Sequence, residues 1–506
     1  MKQQSRVKGI AISYIVTVAR TLSKLLLTPI YLRILGLDDY GLYQYVFSIA
    51  SYVTILDFGI ALVINAFSIK YREVGDKKGV ENVMFYTLAF TTAAVFVVAV
   101  FGTILIAFTP AVFGSAITGK EKLARQLLVL MILELMMLLY QHYFEGVILA
   151  SEKYVTLRSV DLVQIIIRCA ITLCLLFSNV GVLSIAIGDF LGVGLCLSFE
   201  IVYSIKQLDL KVRFHYVDKA LILGIAKLSL ALCLQSLIVF LNSSIDKYVL
   251  GRFLGTVAVT IYTVALTFSM FFDEISAAIQ RLYLPQVVKL VASGANGEEL
   301  TSFVIIPGRY QFALCGGALG GFILFGKHFI ELWSGKETLD AWIIALLLMV
   351  PSIIPLIQNI CLSILTAMNK RLFRSYLLGG MAIANLCLTV VLVKKIGIMG
   401  APIGTCISLI LGNNIIMNIY YKKVIGINVV RLIKGIMKGI LLCVILSTLL
   451  CSPLLMVPLH GIIWFLVECI AFCVVYSVLL WILGFNSQEK EKLTKVVPLP
   501  IRKGAS

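Results

Sequence analysis

Two cations one helical turn apart, with hydroxyls above and below, are the most chemically suggestive residues in this chain. Ser13, Thr17, Arg20, Lys24 and Thr28 follow i, i+4, i+7, i+11, i+15, so all five fall on one face of a helix. Such a face suits an anion. Arg grips phosphate oxygens through a planar fork, Lys acts as a movable point charge, and the hydroxyls add hydrogen bonds. Tyr262, Ser269, Asp273, Ser276 and Gln280 make a second polar stripe, and Thr54, Asp57 and Asn65 a third. Asp161 with Arg168, and Lys227 with Gln235, add shorter ones. No Walker loop, GxSxG, HExxH or carboxylate pair at metal spacing accompanies them, and His142, His215, His328 and His460 are scattered. The expectation is a binding and carrying protein without a cofactor, not an enzyme. Arg20, Lys24, Asp57, Arg168, Gln235 and Asp273 are the candidate substrate-binding residues.

These residues stand inside segments that belong in lipid. Of 506 residues 60% are hydrophobic and 14% charged, with a mean hydropathy of +1.00, whereas soluble domains carry about a quarter charged residues. A soluble enzyme, a disordered regulator and a disulfide scaffold are thereby excluded. The twelve Cys lie in apolar runs without CxxC pairs, as small buried hydrophobes do. The net charge of +17 sits in short clusters between apolar runs, which marks loops and not a nucleic-acid partner. Fourteen windows are long enough to cross a bilayer, from 10–34 and 40–65 to 436–457 and 460–484. With the N-terminus inside, the inner loops carry about threefold more Lys and Arg than the outer ones, which places both termini in the cytoplasm. The fold class is an all-α polytopic membrane protein.

The windows divide into two sets. Gly181-Val182-Leu183-Ser184-Ile185-Ala186-Ile187-Gly188 returns as Gly397-Ile398-Met399-Gly400-Ala401-Pro402-Ile403-Gly404, an offset of 216. Ile148-Leu149 and Arg158-Ser159 recur at the same offset as Ile364-Leu365 and Arg374-Ser375, and Leu35-Gly36 recurs at 215 as Leu250-Gly251. Six spans separate equivalent positions, so the halves share one orientation and form a parallel repeat. The expected plan is an N-lobe over 1–205 (spans 1–6), a cytoplasmic linker over 206–220 and a C-lobe over 221–420 (spans 7–12). Spans 13 and 14 follow within 421–484, then a cytoplasmic tail over 485–506. The offset maps Arg20 to Gln235 and Lys24 to Val239, so span 7 lacks the cation pair at the equivalent places.

An ionisable residue at mid-span costs about 2.5–3.5 kcal/mol on insertion scales, so each needs a cavity or a partner. Arg281, Arg309 and Lys227 lie near span ends, where snorkelling is an equal alternative. Asp161 and Arg168 could instead bind neighbouring helices together. Glu134, Glu145, Asp189, Glu200 and Glu468 default to structural pairing. Arg20 and Lys24 have no acidic residue within span 1, which favours function for them. Gly316, Gly317, Gly320 and Gly321 make a GxxxG-like face, read as a close helix contact.

The stretch Thr28-Pro29-Ile30-Tyr31-Leu32-Arg33-Ile34-Leu35-Gly36-Leu37-Asp38-Asp39-Tyr40-Gly41-Leu42-Tyr43, followed by Leu56-Asp57-Phe58-Gly59-Ile60, resembles the opening helical hairpin of the polysaccharide flippases of the multidrug/oligosaccharidyl-lipid/polysaccharide exporter superfamily. Asp246-Lys247-Tyr248-Val249-Leu250-Gly251 with Tyr262 resembles the start of their second lobe, and Ile364-Leu365-Thr366-Ala367-Met368-Asn369-Lys370 their loop after span 10. The resemblance implies two lobes around a cavity that opens alternately to each side. It further implies a bacterial cell-membrane flippase moving an undecaprenyl-pyrophosphate-linked oligosaccharide from the cytoplasmic to the outer leaflet, for surface polysaccharide biosynthesis. Basic residues of span 1 line that cavity in relatives such as the lipid II flippases, and Arg20 and Lys24 fit that role by position. The expected partners are the lipid-linked oligosaccharide, membrane lipids and a coupling proton or sodium ion, for which Asp57, Asp161 and Asp273 are the candidates. The alternatives are a multidrug exporter of the same superfamily, whose cationic drugs favour an acidic cavity, and a membrane glycan polymerase, which usually needs larger loops than the roughly 15 residues available here.

The charge bias makes a direct test possible. Alkaline phosphatase fused after residue 484 should be inactive and a fluorescent protein at the same place bright; the reverse pattern would put the tail outside.

Overall fold

The computed structural model describes residues 2–52, 57, 59–370, 372–457 and 461–496, with the side chains of 2–11, 235, 238, 239, 241–243, 492, 493, 495 and 496 outside that description. Thr54, His460 and the side chain of Gln235 therefore lie outside the described residues. All regular structure among the described residues is helical. The elements are α1 (Lys2–Ala50), α2 (Ile60–Glu73), α3 (Lys77–Ala107), α4 (Thr109–Phe113), α5 (Glu121–Ala150), α6 (Tyr154–Phe177), α7 (Leu183–Lys206), α8 (Lys219–Leu254), α9 (Thr256–Ala292), α10 (Gly297–Ser334), α11 (Asp340–Ile357), α12 (Asn359–Ala367), α13 (Leu372–Ile396), α14 (Gly400–Leu409), α15 (Met417–Tyr420), α16 (Val429–Met437), α17 (Ile440–Cys451), α18 (Ile462–Leu479) and α19 (Ser487–Val496).

Ten helices among the described residues are long and apolar enough to cross a membrane, or eleven with the bent pair Val429–Met437 and Ile440–Met456 taken as one span. The chain is a multi-pass membrane protein. The difference from fourteen has a local cause. Expected spans 1 and 2 share α1, which is non-helical only at Gly36 (φ 77°, ψ 173°). Expected spans 11 and 12 share one run over Leu372–Ile425 that includes Gly397 at φ 67°, and α8 stands outside the count. Gly181 has φ 74°, so the repeated octapeptide begins on a left-handed glycine both times.

The chain packs as two compact units, Met1–Thr263 with Leu386–Ala401, and Val264–Asn385 with Pro402–Ser506. In the first, α5 packs on α2, α3 and α7, while α1 packs on α5, α6 and α8. Ile60, Ile64, Met84, Tyr143, Val147 and Ala150 make a buried core among α2, α3 and α5. The repeat sequence sets how near α6 and α7 come. A Cβ at Gly188 would lie 2.0 Å from the Thr172 hydroxyl, and one at Gly192 would lie 3.3 Å from the Arg168 Cβ. Asp76 and Asp218 cap α3 and α8 by accepting from the Gly79 and Leu221 amides. Hydrogen bonds from the Leu221 amide and the Tyr71 hydroxyl hold the Asp218 carboxyl below its usual range. The linker before α8 is strapped along α3: the His215 amide donates to Asn82 Oδ1 at 2.9 Å, and Asn82 Nδ2 donates to the Tyr216 carbonyl at 3.1 Å. At the break in α1, Lys120 reaches both Asp38 and Asp39. Burial pushes the Asp38 carboxyl up, but hydrogen bonds from Lys120 and Thr256 outweigh it and lower its pKa.

In the second unit α10 is the central post, packed on α11, α16, α17 and α18. Its glycine face makes this possible: a Cβ on Gly317 would meet the Tyr476 ring at 2.3 Å, and one on Gly320 would meet Thr448 and Val444 at 3.1–3.2 Å. Tyr476 then donates to the Ala313 carbonyl at 2.6 Å, fixing α18 to α10. Arg309 does not snorkel. It is 7% exposed, and it donates to Glu489 at 2.5 and 3.1 Å and to the carbonyls of Gly435, Lys438 and Gly484. One guanidinium thus ties α10, α16, the end of α18 and α19 together.

Removing one partner of this pair leaves a buried charge, which costs about 3–5 kcal/mol. Arg309→Ala and Glu489→Ala should each lower the melting temperature in detergent, and Arg309→Met with Glu489→Leu should regain much of the loss. A double variant as unstable as the singles would show that the carbonyl contacts of Arg309, not the ion pair, carry the stability.

Candidate functional site

The hydroxyls of the α1 face turn back on their own helix. Thr17 donates to the Ser13 carbonyl at 3.0 Å and Thr28 to the Lys24 carbonyl at 2.7 Å, so both are satisfied locally. Arg20 and Lys24 extend beyond them and are exposed. A third cation joins this pair. Lys247 on α8 donates to Gln44 Oε1 at 3.2 Å, Gln44 Nε2 donates to the Tyr40 hydroxyl at 3.0 Å, and Lys24 lies near enough for the two ammonium charges to repel. Two like charges collected at one place in a low-dielectric protein raise its energy unless an anion lies between them. The arrangement is suited to holding a phosphate-sized anion.

Sequence reasoning missed Lys247 because the apolar window for span 7, 221–243, ends before it, where the chain turns polar. In the structure α8 continues to Leu254. Asp246 makes that possible: it accepts from the Tyr262 hydroxyl at 2.6 Å and from the Thr389 hydroxyl at 3.1 Å, so a carboxylate is carried inside with its oxygens engaged. The usable signal was the offset itself, since Lys247 lies only two turns beyond Val239.

Arg168 is placed elsewhere in the same unit. It meets Asp189 of α7 at 3.2 Å, and the Tyr43 hydroxyl donates to the other Asp189 oxygen at 2.9 Å. Tyr31 and Glu134 lie within reach of these charges. Asp57 contacts His142 Nδ1 of α5 at 2.8 Å. Beside them Arg158 donates to Asp161 at 2.7 Å, and Gln141 to Gln164 at 3.2 Å, with Glu200 only 1% exposed on α7. These groups form a polar seam through α5, α6 and α7 that sequence periodicity did not connect, because its members are spread over separate helices.

Asp273 belongs to the second unit and is exposed on α9. Ser276 and Gln280 of its stripe are used in packing. Ser276 donates to the Leu356 carbonyl at 2.8 Å, and Gln280 donates to the Asn359 carbonyl and the Ser363 hydroxyl, each at 2.9 Å. Glu468, 3% exposed, meets His328 at 2.9 Å.

The model of a family described as polysaccharide biosynthesis proteins matches residues 6–289. No curated protein matches the sequence. Among solved structures, the chain is similar to the lipid II flippase MurJ in an inward closed conformation, at 14% identity and a TM-score of 0.69, over 97% of this chain and 100% of that one. It is similar to an inward-facing multidrug resistance MATE family transporter of the MOP superfamily at 13% identity and 0.65, over 79% and 96%. A Vibrio cholerae MATE transporter follows at 13% and 0.54, over 85% and 99%. At these identities the likeness speaks for the fold.

In a background without native Cys, Lys24→Cys should react with a membrane-impermeant thiol reagent, while Ile64→Cys, on a fully buried side chain, should not. A protected residue 24 would turn that face toward lipid.

Proposed function

Because the chain belongs to the polysaccharide biosynthesis protein family of the multidrug/oligosaccharidyl-lipid/polysaccharide exporter superfamily, we propose that it is a flippase for a lipid-linked oligosaccharide. It carries the undecaprenyl-pyrophosphate-linked glycan from the cytoplasmic to the outer leaflet of a bacterial cell membrane by alternating access, with both termini in the cytoplasm. The observation that carries this reading is the gathering of Arg20, Lys24 and Lys247 on α1 and α8, with neutral Gln44 as the hydrogen-bond partner of Lys247.

The physics of the substrate calls for such a site. A pyrophosphate bearing a hydrophilic glycan cannot cross hydrocarbon unaided, whereas its polyprenyl tail is at home there. Arg20 would grip phosphate oxygens with its fork, and the two lysines would follow the headgroup as point charges. A multidrug exporter of cationic drugs would call for the opposite sign on this face. The Asp57 carboxylate is paired with His142.

Loss of one charge-assisted contact removes about 1.5–3 kcal/mol, or roughly tenfold to a hundredfold in affinity. Arg20→Ala, Lys24→Ala and Lys247→Ala should each weaken export complementation at matched membrane abundance. Arg20→Lys should recover part of the loss, since the charge stays and the fork goes. Lipid-linked units should accumulate inside a deletion strain. Normal export by the triple variant at wild-type abundance would overturn the cation site, and outer-face accumulation of unpolymerised units would favour a polymerase.

A further inference from the structure

α16 is an amphipathic helix between two apolar runs. It follows the helical segment ending at Ile425 and is bent by 41° from α17, so it does not continue the direction of the span it precedes. Both ends are fixed. The Asn428 side chain caps its start by accepting from the Arg431 amide at 3.1 Å, and the Asn428 amide donates to Thr301 on α10 at 3.1 Å. Its last carbonyls, those of Gly435 and Lys438, accept from Arg309 at 3.1 and 2.8 Å. Leu432 and Ile436 are fully buried beneath it.

The opposite face is basic. Arg431, Lys434 and Lys438 follow i, i+3, i+7 and are exposed. With Ile305, Asn428, Val430 and Gly435 they line an open hollow of about 580 Å³. Arg431 is paired with Glu298, whereas Lys434 and Lys438 have no acidic partner among the described residues. Val430 is 63% exposed beside these cations. An exposed apolar side chain next to basic ones on an obliquely set helix is the pattern of a helix lying at the boundary between hydrocarbon and headgroups. Gly435 lets the helix lie close to α10, since a Cβ there would come within 2.9 Å of the end of the Ile305 side chain.

We propose that this hollow is a binding site for the phosphate of an anionic lipid headgroup, held by Lys434 and Lys438 with the acyl chains beside Val430 and Ile305. The charge of the hollow selects a phosphate, and the neighbouring apolar side chains select a lipid over a soluble anion. The site is separate from the substrate cations on α1 and α8 and does not depend on what the protein transports. Since Arg309 holds both this helix and α19, a bound lipid would brace the same junction.

The test uses the full chain in nanodiscs of phosphatidylcholine with a minor fraction of phosphatidylglycerol, with retained lipid read by native mass spectrometry. The wild type should retain phosphatidylglycerol preferentially. Each neutralised lysine should cost about fivefold, from the worth of roughly 1 kcal/mol per cation near an anionic surface, so Lys434→Gln with Lys438→Gln should lose most of the preference. Lys434→Arg with Lys438→Arg should keep it. Unchanged retention in the Gln pair, or loss in both pairs alike, overturns the proposal. Inorganic phosphate that abolishes the preference would reassign the hollow to a soluble anion and overturn the lipid assignment.

Discussion

A charge inside a membrane must find its counterpart within the chain or in whatever the chain carries, because hydrocarbon offers none. That requirement sorts the intramembrane residues of this protein. Arg168 with Asp189 and Tyr43, His142 with Asp57, Arg158 with Asp161 and His328 with Glu468 are all answered by side chains on the same or neighbouring helices of one unit. Such pairs repay desolvation only when their geometry is good, and each of these lies within hydrogen-bonding distance. Arg20 has no ion-pair partner among the described residues, and Lys247 is met by an amide. The helices hold themselves together with the first group, and it is to the second that we propose the ligand binds.

The same rule explains the most heavily bonded cation. Arg309 satisfies three backbone carbonyls at helix ends as well as a carboxylate. Helix ends leave carbonyls without intrahelical partners, and burying them without a donor would be costly. A single guanidinium therefore does what several caps would otherwise do, and in doing so joins α16 and α19 to α10. The glycine face of α10 completes the attachment, letting α17 and α18 approach closely, most of all at Gly317, where a Cβ would collide with the Tyr476 ring.

Small residues and left-handed turns set the backbone on which these charges sit. Gly188 and Gly192 bring α7 against α6, which is what puts Asp189 within reach of Arg168. Gly36, Gly181 and Gly397 take positive φ where helices must break, a conformation that side chains disfavour. The octapeptide thus encodes a turn in both copies and, at Gly188 in the first, a close contact as well.

Hydropathy and charge alone determine that this chain is an all-helical membrane protein, because a span of about 20 apolar residues is a local property of sequence. Periodicity likewise puts Arg20 and Lys24 on one helix face, since i and i+4 are neighbours in any α-helix. The glycine face of α10 was legible for the same reason. Partners were not. Nothing local joins Asp57 to His142 across 85 positions, Arg309 to Glu489 across 180, or Lys24 to Lys247. Lys247 was hidden by its own polarity, which reads as a loop until Tyr262 and Thr389 are seen to satisfy Asp246 beside it. Which cations meet a carboxylate and which meet a neutral group is a matter of distance through space, and only the tertiary packing of helices decides it.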